Sequence, residues 1–116
     1  MAKELFNAKI QEFVSDLATA YPDIGEYKQC KNALSLAVRL SPEQPQRLFR
    51  QMVVLPFRQH ILDRDEAFFI GYDFKDVVSD FDVVSRIRAS WQHMSAEDKD
   101  NVWKYLQLLI RIDERC

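Results

Sequence analysis

His60 and Asp63 stand three residues apart, a spacing that on a helix sets an imidazole beside a carboxylate able to orient it as a general base. Such a base needs a nucleophile or a second acid–base group, and the chain contains no GxSxG, no HExxH and no Cys–His pairing. His60 is therefore expected to be a surface or helix-end histidine. His93 falls near the end of an expected helix, where the negative end of the dipole favours a cation. Carboxylates are densest at Asp63, Asp65 and Glu66, with Asp73, Asp76, Asp80 and Asp82 beyond them. Oxygen ligands suit calcium or magnesium. A calcium loop begun at Asp63, however, would put Ala67 at a ligand position and Phe68 where the turn needs glycine. These acids are expected as helix caps and dipole partners, with no metal and no catalytic residue.

Glycine occurs only at Gly25 and Gly71, in neither GxxxxGK[ST] nor GxGxxG, so no backbone cradle for a nucleotide phosphate is expected, and no cofactor. Cys30 and Cys116 belong to no CxxC or Cys/His spacing, which removes zinc and dithiol chemistry and leaves two unpaired thiols, as in a reducing compartment. Sixteen Lys and Arg against eighteen Asp and Glu give a net charge of −2, the opposite of a nucleic-acid footprint. A nucleic-acid accessory role remains as an alternative if Arg47, Arg50, Arg58, Arg86 and Arg88 form one strip. Glu43, Asp63, Asp65 and Glu66 lie close in sequence, so mixed ion pairs are the more economical expectation.

The segment Phe68-Phe69-Ile70-Gly71-Tyr72-Asp73-Phe74 is the strongest candidate for recognition. It holds more large apolar side chains than one face of a short element can bury. Aromatic residues concentrate at binding hot spots, so Phe68, Phe69, Tyr72 and Phe74 form the expected contact cluster for a protein partner or for self-association. The competing expectation is that the domain's own helices cover the segment on both sides.

Scarce glycine argues against tight hairpins and for helices. Phe6, Ile10, Phe13, Val14, Leu17 and Tyr21 repeat in steps of three and four, predicting a helix over 3–20 that ends before Pro22. Tyr27, Ala33, Leu34, Ala37 and Val38 predict a second over 24–40, with Lys28, Lys31 and Arg39 interleaved. Ser41, Pro42 and Gln44 read as a capping box opening a helix over 42–54, with core residues Leu48, Phe49, Met52 and Val53, which Pro56 interrupts. A short helix then resumes through Leu62, and Asp63 with Glu66 reads as a second capping box. Val77, Phe81, Val84, Ile87 and Trp91 predict a helix over 76–93. A serine cap at Ser95 heads the last one, to about Asp113, whose apolar residues occupy most of its circumference.

Two stretches resemble small, uncharacterised helical proteins of large DNA viruses of algae and protists: Pro56-Phe57-Arg58-Gln59-His60-Ile61 leading to Asp65-Glu66-Ala67-Phe68-Phe69, and Asn101-Val102-Trp103-Lys104-Tyr105-Leu106-Gln107-Leu108-Leu109. The resemblance covers the middle and C-terminal end and implies a host-cytoplasm or viral-factory setting, with no activity or functional residue to carry over.

The expectation is thus an all-α, single-domain bundle of about six helices spanning 1–116, with a central C-terminal helix on which the 77–91 stripe packs. The N-terminal residues are not expected to act as a secretory leader, and the longest apolar run, Leu108-Leu109-Ile110, is far too short to cross a membrane. The expected function is a non-enzymatic, cytoplasmic protein-interaction module, a homo-oligomer or a virus–host adaptor, with no small-molecule substrate.

Overall fold

Helix α1 spans Ala2–Ala20 and α2 spans Gly25–Leu40, as the three–four spacing of their apolar residues dictates. The computed structural model describes residues 1–70 and 83–116. A tight turn at Pro22 and Asp23 folds α2 back on α1, and the buried stripe Phe6, Ile10, Phe13, Val14 and Leu17 meets Tyr27, Cys30, Leu34 and Ala37. Helix α3 spans Gln44–Phe49, a wider π-type turn covers Arg50–Val54, and α4 spans Leu55–Leu62. A 3₁₀ turn follows at Glu66–Phe69. Helix α5 is described over Val83–Ser90 and runs into a 3₁₀ turn at Trp91–His93, and α6 spans Ala96–Asp113. No strand occurs among the described residues, so the protein is all-α. The Cα radius of gyration of 13.1 Å is that of one domain of this length.

Three local expectations are corrected. Helix α3 starts at Gln44 behind Glu43, without a side-chain cap; Ser41 instead accepts the Gln44 N–H through its carbonyl at 3.0 Å, and Pro45, not Pro42, sits in the first helical turn. A tertiary contact holds the Pro42 carbonyl: the buried Asn7 donates its Nδ2–H to it at 2.8 Å, tying α1 to this turn. Pro56, expected to interrupt, lies inside a continuous helical path. The Leu55 N–H reaches back five residues to the Arg50 carbonyl, and this widened turn absorbs the crowding a proline ring imposes on the preceding turn. Asp63 closes α4 rather than opening the next helix. Arg64 takes the left-handed conformation (φ 52°), its N–H bonds to Ile61 O at 3.1 Å and the Asp65 N–H to His60 O at 2.9 Å, the Schellman pattern that ends a helix and excludes a capping box there.

The last helix is central, as its all-round apolar pattern requires. Val102, Trp103, Leu106, Leu109, Ile110 and Ile112 are buried, with α1 and α4 against it. Gln107 fastens it to the end of α4 by donating to Ile61 O at 3.2 Å and Leu62 O at 3.3 Å. The predicted stripe over 77–91 falls partly outside the described residues. Its described part, with Val84, Ile87 and Trp91 buried, packs against α2 and the Glu66–Phe69 turn, and reaches α6 through Trp91 on Trp103, ring centroids 5.3 Å apart. Tyr27 also joins α2 to α5, bonding to the Ser90 hydroxyl in the interior, where burial pushes its phenol well above the usual tyrosine range.

The serine cap forms as its sequence demands, Ser95 Oγ accepting from the Asp98 N–H at 3.1 Å. Ser95→Ala is expected to cost about 1 kcal/mol in thermal or urea unfolding, the ordinary value of a lost N-cap, and Ser95→Asp to restore most of it.

Candidate interaction surface

The expected contact cluster divides. Phe69 is fully buried, which corrects its placement as a partner-contact residue: its ring stacks on Trp91 at 4.5 Å and meets Trp103 edge-on at 4.8 Å. The 3₁₀ turn aims it inward because α6 and the Trp91 turn offer an aromatic box of matching size. Phe68 stays half-buried at the rim, against Phe57 (4.7 Å) and the parallel His60 ring (5.0 Å), with the Arg88 guanidinium 4.0 Å from its centroid. Tyr72 and Phe74 lie outside the described residues, as do Asp73, Asp76, Asp80 and Asp82. Ile70 is exposed.

His60 pairs with Asp65, not Asp63, its Nδ1 lying 2.9 Å from Asp65 Oδ2, since the Schellman turn swings Asp65 back over the end of α4. Asp63 accepts from Gln59 Nε2 at 2.9 Å. Glu66 accepts from Trp91 Nε1 at 3.2 Å and from Lys99 Nζ at 3.3 Å; those bonds hold its carboxyl below the usual glutamate range. Asp100 is lowered likewise by bonds from Lys104 and Arg64. A lowered carboxylate adds stability above its unfolded-state value and loses it as the pH falls through its folded one, and these two surface groups add little. Among the described residues no three His, Cys, Asp or Glu side chains gather in a metal-binding arrangement. Cys30 is buried in α2 and Cys116 exposed, with no disulfide between them.

Four of the five arginines are engaged or buried within the fold and do not form a free strip. Arg50 binds Asp113, Arg58 binds Glu114 at 2.6 Å, Arg86 is buried, Arg88 lies over Phe68, and Arg47 stands exposed on α3. Acids at the end of α6 thus take up two members of the strip, and they are not the sequence neighbours Glu43, Asp63, Asp65 and Glu66.

Exposed apolar side chains occur at Leu5, Leu55 and Ile70, and two stand one turn apart on the outer side of α2. Leu36 is 54% exposed and Leu40, one turn on, 75%. They end a row in helical steps, Gln29, Asn32, Leu36 and Leu40, that runs beside a second row of Lys28, Lys31, Ser35 and Arg39. Lys28, Lys31 and Arg39 are exposed and enter no ion pair among the described residues. The helix presents its buried side to α1 and α5, and the opposite side carries leucine and positive charge together. The signal was legible in the sequence: Leu36 and Leu40 sit off the core period of α2, and a leucine out of phase points away from the helices its own stripe packs on.

Comparison with protein-family models, with curated proteins and with solved structures gives no match to this chain. The class to which it belongs is thus set by its fold alone, an all-α helical bundle. No described helix is long and apolar enough to cross a membrane.

Proposed function

We propose that this protein is a non-enzymatic, cytoplasmic interaction module, an adaptor whose outer α2 face holds an acidic, apolar-faced helical segment of a partner protein. The observation that carries this reading is the adjacency of Leu36 and Leu40, largely exposed, to Lys28, Lys31 and Arg39, which enter no ion pair among the described residues. Leucine at a spacing of four offers anchors to an amphipathic helix, and the cationic row beside them fixes its sign and register. A second copy of this chain fits less well, because a symmetric contact would set the same cations against each other. Nucleic acid fits less well too: phosphates would satisfy the cations but leave both leucines in water. The setting implied by the resemblance to algal-virus proteins belongs to this reading as well. His60 is engaged with Asp65 and Phe68, and no described Ser or Cys is bonded to it.

A photo-crosslinking residue at position 40, with one at the exposed Ala8 of α1 as control, tests the reading in native cells. The expected adducts at position 40 are protein segments with Asp or Glu beside apolar residues at helical spacing. Lys31→Glu with Arg39→Glu should cut their yield about tenfold, the effect of reversing two interfacial charges. Adducts identical to those at Ala8, adducts with nucleic acid or basic segments, or a Leu40-dependent dimer by light scattering would each overturn it.

A further inference from the structure

Asp16 and Asp98 are exceptional among the acids placed where helices meet. Asp113, Glu114, Asp100, Glu66 and Glu12 each hold a Lys or Arg, whereas Asp16 and Asp98 enter no ion pair among the described residues. Both line one cavity of about 60 Å³ between the end of α1 and the start of α6, walled by Phe13, Leu17, Tyr21, Val102 and Tyr105 and completed by Asn101. Tyr105 donates its hydroxyl to Asp16 Oδ2 at 2.9 Å and Tyr21 donates to Asp98 Oδ2, so each carboxylate is oriented by a phenol while its other oxygen keeps acceptor capacity. Phe13 stacks on Tyr105 at 4.7 Å, fixing that ring.

From this geometry we infer that the α1–α6 cavity is a binding site for a primary alkylammonium group, such as the end of a lysine side chain or of a polyamine. The fit has three parts. An ammonium has three N–H donors, and the carboxylates of Asp16 and Asp98 offer acceptor oxygens around one space that Asn101 also lines. The tyrosine and phenylalanine walls attract a cation and accept the methylenes behind it. The space is open to water-sized groups and opens to solvent on one side, so an aminomethyl group can enter with its chain left outside.

The surrounding charges agree with that choice. Lys9 and Lys104 stand across Tyr105 in a neighbouring groove, each engaged with its own acid, Glu12 at 3.1 Å and Asp100 at 2.9 Å. The last turn of α1 carries no basic residue, so its negative end is uncompensated, while the first turn of α6 opposes it; the dipoles offset and the two carboxylates set the sign. Burial, and then the bond to the carboxylate, raises both phenols above the usual tyrosine range, which keeps them protonated as donors.

The test is an amide-resolved NMR titration of the whole chain with Nα-acetyl-lysine methylamide, with spermidine, and with the Nε-acetylated lysine derivative as the neutral control. Saturable shifts at Ala20, Asn101 and Val102 with an amine, at a dissociation constant of about 1 mM as suits so small a ligand, support the site; tighter binding of the lysine derivative marks a protein side chain as the source, and of spermidine a polyamine. Asp16→Asn with Asp98→Asn keeps the acceptors for both tyrosines and should weaken binding at least about tenfold, with the melting curve as the check that the fold survives. Equal shifts with the acetylated derivative or with sodium chloride at matched ionic strength, no saturable shift, or undiminished binding to the double variant would overturn the inference.

Discussion

Phe69→Ala is expected to lower the free energy of unfolding by about 3–5 kcal/mol, the range for emptying a phenylalanine site in a core. The ring has no exposed surface and packs against both Trp91 and Trp103, which touch each other with ring centroids 5.3 Å apart. Removing it opens a void lined by two indoles that cannot close on it, because Trp91 is held by its bond to Glu66 and Trp103 is fixed in α6. Against a total stability of about 5–15 kcal/mol for a natural domain, that loss moves the urea midpoint a long way. Phe69→Leu, which keeps most of the volume, should cost about 1.5 kcal/mol or less. A Phe69→Ala protein with an unchanged midpoint but a lost partner would return this ring to the recognition surface. Phe68→Ala, at the rim, should cost clearly less than Phe69→Ala.

Asp113→Ala should cost about 2–3 kcal/mol, the second-largest effect. The Asp113 carboxylate is buried at the end of α6, where it accepts from Gln46 Nε2 at 2.6 Å and from Arg50 Nε at 3.1 Å, while Arg50 also donates to its main-chain carbonyl at 2.9 Å. The cluster joins α6 to α3 and to the start of the π turn. Truncation strands the buried Gln46 amide, and a hydrogen bond to a charged group contributes about 1.5–3 kcal/mol. The Arg50 side chain is 43% exposed, so water takes over part of its share, and Arg50→Ala should cost less than Asp113→Ala. Asp113→Asn preserves an acceptor and should fall between wild type and Asp113→Ala. Equilibrium urea unfolding of the three variants checks the order; an Asp113→Ala loss below about 0.5 kcal/mol would show that the cluster contributes nothing net.

The amino-acid sequence by itself determined the long helices. Spacing at three and four marks the buried stripes of α1, α2 and α6, and Ser95 caps α6 through an atom three residues away. These features depend on neighbours within one or two turns, so the local pattern contains the physics. It also held the candidate surface, in the out-of-phase Leu36 and Leu40 beside three cations, although attention falls first on the denser aromatic run at 68–74.

Tertiary structure alone decided which aromatic faces inward. Phe68 and Phe69 are chemically alike and adjacent, and only the arrival of Trp91 and Trp103 from distant parts of the chain buries one and leaves the other at the rim. The same holds for the charges: Arg50 and Arg58 are neutralised by acids at the end of α6, and Asp16 and Asp98 share a cavity because α1 and α6 lie side by side. It holds as well for the helix starts that failed to form at Ser41 and Asp63. Capping side chains compete with whatever the fold brings to the same backbone groups, and there a turn carbonyl and a left-handed Arg64 did the closing. A local motif states what a segment can do; partners more than thirty residues away fix what it does, since their positions follow from the packing of the whole core.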